Sequence, residues 1–212
     1  MRKPLLGSAI LAVGLLAGCA SGDATSPADD GAAIAVNGST AWHGTPVKNG
    51  YRLPDLRFTD TAGHQVDLAE AATKPVTLVF FGYSHCPDIC NVVMANIAAA
   101  LREASPAVRH DVRLLFVTTD PARDKPEVLR EFLDRFDPSF EGLIAPVGTV
   151  ARAARALYIS YEKPDGSRGG SYEVDHGTYT TGFLDGTAKV IWAETTTVAN
   201  LRADLTRLSR LA

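Results

Sequence analysis

Two cysteines four residues apart stand where an apolar run gives way to a helical pattern. The segment Gly82-Tyr83-Ser84-His85-Cys86-Pro87-Asp88-Ile89-Cys90 follows the β-rich run 76–81 and precedes periodic apolar residues from Ile89 onward. Pro87 suits the first turn of a helix, which puts Cys86 at or near the N-cap. Unpaired backbone N–H groups and the positive end of the helix dipole favour thiolate over thiol there. Cys90 falls one turn later on the same face. On a regular helix that spacing holds the Cβ atoms ~5–6 Å apart, whereas a relaxed disulfide prefers ~3.5–4.5 Å. Two thiolates bonded to one metal ion at ~2.3 Å each accept the wider separation. The geometry therefore leans toward metal binding and leaves a disulfide open, because Cys86 sits at the helix start. The bland alternative is a pair of packing cysteines or one inert bridge.

Two thiolates make an incomplete metal site. Asp175-His176-Gly177 precedes a strand pattern at 178–184, and the imidazole of His176 is a suitable third donor. Two soft sulfurs and one nitrogen suit trigonal Cu(I), and hold Cu(II) if another ligand joins. Structural zinc takes four protein ligands, a set not evident here. The other histidines are weaker candidates. His43 lies in a linker, His64 in a hairpin turn, His110 just before a strand, and His85 points away along the chain from Cys86. Thr118-Thr119-Asp120-Pro121-Ala122-Arg123-Asp124-Lys125-Pro126 follows a second buried strand, and ligands of open parallel sheets collect beyond the carboxyl ends of the strands. A right-handed crossover sets Asp120 beside the cysteine loop, as an outer hydrogen-bond acceptor or a proton acceptor for a thiol. An Asp-Pro turn with an Arg–Asp surface pair explains the same residues equally well.

These groups need a scaffold, and the patterns supply one. Leu53, Leu56 and Phe58, the turn at 60–63, then Val66 and Leu68 read as an N-terminal hairpin. The continuous apolar runs 76–81 and 112–117 read as strands buried on both faces of a parallel sheet. Helices are expected over 89–104, with Val92, Val93, Ile97, Ala100 and Leu101 on a broad apolar face, and from Pro126 to Phe136. A short apolar segment at 143–147 leads to Thr149, expected to cap a helix reaching about Tyr158. Residues 163–170 read as an inserted loop or exposed hairpin. Strands at 178–184 and 189–193 flank the turn dipeptide Asp185-Gly186, and an amphipathic helix at 198–211 closes the chain.

The N-terminus bears on location. Arg2 and Lys3 precede uncharged residues 5–17, a stretch short of the ~20 residues that span a bilayer and proportioned like a signal peptide. It ends Leu16-Ala17-Gly18-Cys19, similar to the bacterial lipobox, in which cleavage precedes a cysteine that becomes lipidated. The expected organisation is a lipoprotein signal peptide at 1–18, lipidated Cys19 with a flexible tether at 19–48, and a folded domain at 49–212. A tether of about 30 residues reaches roughly 30 Å. The expected location is the extracytoplasmic face of a bacterial membrane, where thiols meet oxidants. Composition agrees with a foldable domain: of 212 residues, 46% are hydrophobic and 21% charged, and mean hydropathy is +0.01. A net charge of −3 without a Lys/Arg run gives nucleic acid no electrostatic footprint.

The element order resembles an α/β thioredoxin-like fold, with an added N-terminal β-hairpin and an insertion before the last two strands. The segment from Phe80 through Cys90, the Asp120-Pro121 stretch with Arg123-Asp124 and Pro126, and Val174-Asp175-His176 together resemble the SCO/SenC family of copper proteins over about residues 48–212. The resemblance implies that Cys86, Cys90 and His176 bind copper. It also implies a metallochaperone role in building the dinuclear copper (CuA) site of cytochrome c oxidase subunit II, with another periplasmic-type copper chaperone as a further partner. The alternative is a thiol-disulfide reductase or thiol peroxidase using the same cysteines. Two departures stand out. Asn91 replaces a proline that many members carry, a change expected to touch only the helix start. No proline lies between Gly166 and the strand near Thr178, which weighs against a general disulfide exchanger.

Overall fold

The computed structural model describes residues 42–162 and 173–212. In chain order these form β1 (Thr45–Pro46), β2 (Arg57–Asp60), β3 (Gln65–Asp67), β4 (Val76–Gly82), α1 (Ile89–Glu103), α2 (Pro106–Asp111), β5 (Val112–Thr118), α3 (Pro126–Asp134), β6 (Glu141–Ile144), α4 (Val147–Ala156), β7 (Thr180–Leu184), β8 (Thr187–Trp192) and α5 (Val198–Leu211). The described strands share one sheet in the order β1-β8-β7-β4-β5-β6-β2-β3.

The sheet's centre is where the unbroken apolar runs lie. β4 and β5 pair in parallel from Val76–Val112 to Gly82–Thr118, and every residue of β4 is buried. Side chains alternate between faces. Leu78 and Phe80 join Phe116, Phe132, Ile97 and Leu205 in one core under α1, α3 and α5. Val79 and Phe81 join Leu115, Val150 and Phe183 in a second core with α4. Full burial of a Phe stabilises by about 1.5–3 kcal/mol, so both faces hold the central strands in place. β7 runs antiparallel to β4, and β8 to β7. β4-α1-β5 and β7-β8-α5 thus form the core of a thioredoxin-like α/β fold.

Several local expectations meet the structure directly. β2 and β3 pair as a hairpin with Phe58 opposite Val66. Asp185 and Gly186 both take positive φ, 48° and 73°, as a two-residue hairpin turn of this hand requires.

Other expectations shift. Thr149 does not cap α4, which starts two residues earlier: the carbonyl of Pro146 accepts the N–H of Thr149 at 2.7 Å and of Val150 at 3.1 Å. The Thr149 hydroxyl instead accepts from Arg152. A helix not expected from the sequence, α2, lies between α1 and β5, where Ser105 accepts the N–H of Val108 and Pro106 opens the helix. Val92 is 43% exposed, outside the buried face of α1. Packing also begins inside the segment assigned to the tether. Thr45 pairs with Ile191, and buried Asp204 accepts the N–H groups of His43 and Gly44 and the indole N–H of Trp192. The Arg207 guanidinium lies 4.8 Å from the Trp42 ring centre. The signal peptide, Cys19 and the insertion at 163–170 lie outside the described residues.

Candidate metal centre

β4 delivers the chain to the site and Gly82 lets it turn. A Cβ at Gly82 would fall 2.7 Å from the Phe80 ring and 3.0 Å from Cys90 Sγ, so only glycine leaves room for the sulfur. The next residues turn tightly, with the N–H of Cys86 donating to the Tyr83 carbonyl at 3.2 Å. Asp88 is the N-cap of α1, with φ −138° and ψ −81°. That non-helical backbone keeps the helix from starting at Pro87, so Cys86 lies two residues ahead of the cap rather than on it. The regular-helix spacing argument therefore does not govern this pair, and the two thiols are unbridged. The Cys90 N–H, one of the donors a helix start leaves free, donates to Cys86 Sγ at 3.4 Å.

This arrangement separates the two thiols electrostatically. The Cys90 thiol beside it, the His176 ring and the N–H groups of Cys90 and Asp88 hold the Cys86 thiol at about 4, against an ordinary value of 9.0 and against the opposing effect of burial. The Cys86 thiolate and burial push Cys90 strongly upward. These opposite shifts favour the thiolate on Cys86 and the neutral thiol on Cys90.

His176 arrives from the far side of the cleft, 8% exposed. Its segment bridges to Tyr161. Nδ1 lies 3.1 Å from the Gly177 carbonyl oxygen, which can only accept, so Nδ1 donates there and, in the neutral ring, Nε2 carries the lone pair. Nε2 is 3.9 Å from Cys90 Sγ. Metal bonds of ~2.3 Å to sulfur and ~2.0 Å to nitrogen, about 120° apart, separate the donors by about 3.7 Å. The observed gap matches that spacing. Among the described residues no three such donors already enclose a metal-sized space. Cys90 and His176 nonetheless face each other at that distance, with Cys86 at the same helix end. The donor set is soft and three-membered, which fits copper better than four-ligand structural zinc. The cleft outside, about 660 Å³, is lined by Tyr83, Cys86, Pro87, Ile89, Val174 and His176 among others.

The residues that brace this loop only partly match those expected. Asp120 is buried at 2% exposure and pairs with Arg123. The Arg123 guanidinium sits 5.5 Å from the Tyr83 ring centre, so Asp120 reaches the site at one remove. The direct brace is Asp124, which is fully buried, against the alternative of a surface Arg–Asp pair that the sequence left open. Its carboxylate accepts the Ser84 N–H at 3.0 Å, the Ser84 hydroxyl at 2.5 Å and the Thr118 hydroxyl at 2.6 Å. The signal for it was the polar stretch directly after a fully buried strand. Asn91 also does more than begin a helix, since its amide donates to the Cys86 carbonyl at 3.2 Å. His85 contacts Ser84 and is half exposed. His64 pairs with Asp60, His110 with Asp111, and His43 binds Asp204 through its backbone. None of these four joins Cys86 and Cys90.

Comparison with known proteins places this geometry. A family model described as SCO1/SenC matches residues 49–208. The mitochondrial protein SCO1 of Saccharomyces cerevisiae is 35% identical over 138 residues, covering 63% of this chain and 46% of that protein. The chain spans about half the length of the curated relatives it matches. Apo Sco1 from Thermus thermophilus superposes with a TM-score of 0.70 at 31% identity, covering 79% of this chain and 96% of that one. Copper-bound ScoI from Bradyrhizobium japonicum gives 0.62 at 28% identity, covering 77% and 98%. With a match that runs through both the cysteine loop and the histidine segment, the chain belongs to the SCO1/SenC family.

Proposed function

We propose that this chain is a membrane-tethered, extracytoplasmic copper metallochaperone that helps build the CuA site of cytochrome c oxidase. Cys86, Cys90 and His176 hold the ion as cargo. The observation that carries the reading is the 3.9 Å gap between Cys90 Sγ and His176 Nε2, which suits one bound ion. The two sulfurs suffice for low-coordinate Cu(I), and the imidazole adds the nitrogen that Cu(II) prefers. Binding requires reduced thiols, so a Cys86–Cys90 disulfide excludes copper. The implied partners are oxidase subunit II as recipient and a second copper chaperone as donor, with lipidated Cys19 keeping the domain near the membrane. Cys19→Ser should block processing or release the protein from the membrane, as fractionation and intact mass would read.

One observation favours a second reading. A thiolate at Cys86 beside a protonated, fully buried Cys90 also suits an attacking and a resolving thiol. The two readings part at His176, which a metal site needs and dithiol exchange does not. In a strain lacking the protein, His176→Ala should fail to restore oxidase activity while wild type restores it. Full restoration by His176→Ala, together with efficient reduction of generic disulfides, would favour the reductase.

A further inference from the structure

We infer that Tyr83 is the positioning residue that sets the histidine segment against the cysteine loop, an inference that rests on the copper reading above for its consequence. Tyr83 lies three residues before Cys86 and is 2% exposed. Its hydroxyl accepts the N–H of Val174 at 3.4 Å, two residues before His176. Its ring meets the His176 ring edge-on, with centroids 5.9 Å apart at 86°. One side chain thus touches the imidazole and fixes the backbone that carries it. Phe80 contributes a second edge-on contact to the same imidazole, with centroids 6.3 Å apart. It has no polar group with which to hold the segment.

Apart from the 3.9 Å contact of His176 Nε2 with Cys90 Sγ, the segment's other backbone hydrogen bonds among the described residues run elsewhere. The N–H of Glu162 donates to the Asp175 carbonyl at 3.0 Å and that of Gly177 to the Ser160 carbonyl at 2.8 Å. Those bonds join it to residues 160–162 and say nothing about its distance from the sulfurs. The Tyr83 hydroxyl spans that distance. Arg123, partly exposed and paired with buried Asp120, adds a guanidinium near the Tyr83 ring, 5.5 Å from its centre, and so stiffens the support.

Because Val174 is buried, losing the phenolic acceptor leaves its N–H without a partner. A buried hydrogen bond of ordinary strength corresponds to about a tenfold change in an equilibrium. Cu(II), which needs the imidazole, should feel that change. Cu(I) on the two thiolates should feel little of it.

The test uses the full chain, reduced, with Tyr83→Phe, which keeps the ring and removes only the hydroxyl. In the apo protein, Val174 amide hydrogen exchange should quicken about tenfold, while exchange in the central strands stays as in wild type. Titrated with copper salts, the variant should retain Cu(I), bind Cu(II) about tenfold more weakly, and show an altered thiolate-to-Cu(II) absorption. Tyr83→Leu, lacking ring and hydroxyl, should lose more of the Cu(II) signal than Tyr83→Phe. Wild-type exchange at Val174 in Tyr83→Phe would overturn the inference, as would unchanged Cu(II) affinity and spectrum. If wild type itself takes up no copper, the copper reading fails, and the apo exchange alone decides whether Tyr83 holds the segment.

Discussion

The cysteine loop and the histidine segment face each other across one cleft and are built differently. The loop is fixed from several directions. Asp124 receives Ser84 and Thr118, Asn91 ties the Cys86 carbonyl, Cys90 donates to Cys86 Sγ, and Gly82 makes room for Cys90. The histidine segment leans on residues 160–162 and reaches the loop through Tyr83 and the His176–Cys90 contact. The two-sulfur half is thus built into a strand-to-helix junction at the sheet's centre. The imidazole half is carried by a segment outside the strands and, among the described residues, held by fewer polar ties. On the proposed copper reading, soft Cu(I) would draw on the first half alone and Cu(II) on both.

The largest break should come from the sulfurs. Cys86→Ser or Cys90→Ser should abolish retention of both copper oxidation states, since each removes half of the soft donors. Copper-to-protein ratios after desalting would show it. Next comes the brace. Asp124→Ala strands the Ser84 N–H and hydroxyl and the Thr118 hydroxyl in a buried place, which should cost about 3 kcal/mol of stability. Denaturant midpoints would read that loss, and copper uptake should fall with it.

A titration sharpens the contrast within the loop. Cys86 is depressed from 9.0 to about 4, so the folded state's preference for its thiolate is complete above pH 9. It shrinks as pH falls and is gone below about 4. Iodoacetamide should therefore still modify Cys86 in the reduced apo protein at pH 5 to 6, where an ordinary thiol with a pKa of 9.0 is almost wholly protonated. Peptide mapping would identify the labelled residue, and His176→Ala should move the profile upward. The smallest effect belongs to Asn91→Ala, about 1 kcal/mol from one polar tie, with both copper states retained and a modest rise in the rate of copper loss.

What was legible in the chain followed from periodicity. The apolar runs of β4 and β5, the turn at Asp185-Gly186 and the apolar stripe of α5 each state their own structure. Cys86, Cys90 and His176 were legible as a candidate site because few residue types bind soft metals, and the fold sets Cys90 Sγ 3.9 Å from His176 Nε2. Asp124 was not, because an aspartate in an Arg-Asp-Lys stretch reads as surface until the fold buries it. Tyr83 and Asn91 were equally hidden, since their roles depend on which carbonyl or N–H the fold brings within reach. Residues 42–46 read as tether for a related reason: local composition there is polar, and their partners Asp204 and Ile191 lie some 150 residues away.

The central claim is that two thiolates and one imidazole make a single copper site. Anaerobic titration of the reduced protein with Cu(I) and then Cu(II), read by absorbance and intact mass, tests it most directly. Wild type should take one copper per chain in the cleft, with an intense thiolate-to-Cu(II) band, and His176→Ala should lose that band while keeping Cu(I). A His176→Ala protein with the wild-type Cu(II) spectrum would contradict the account.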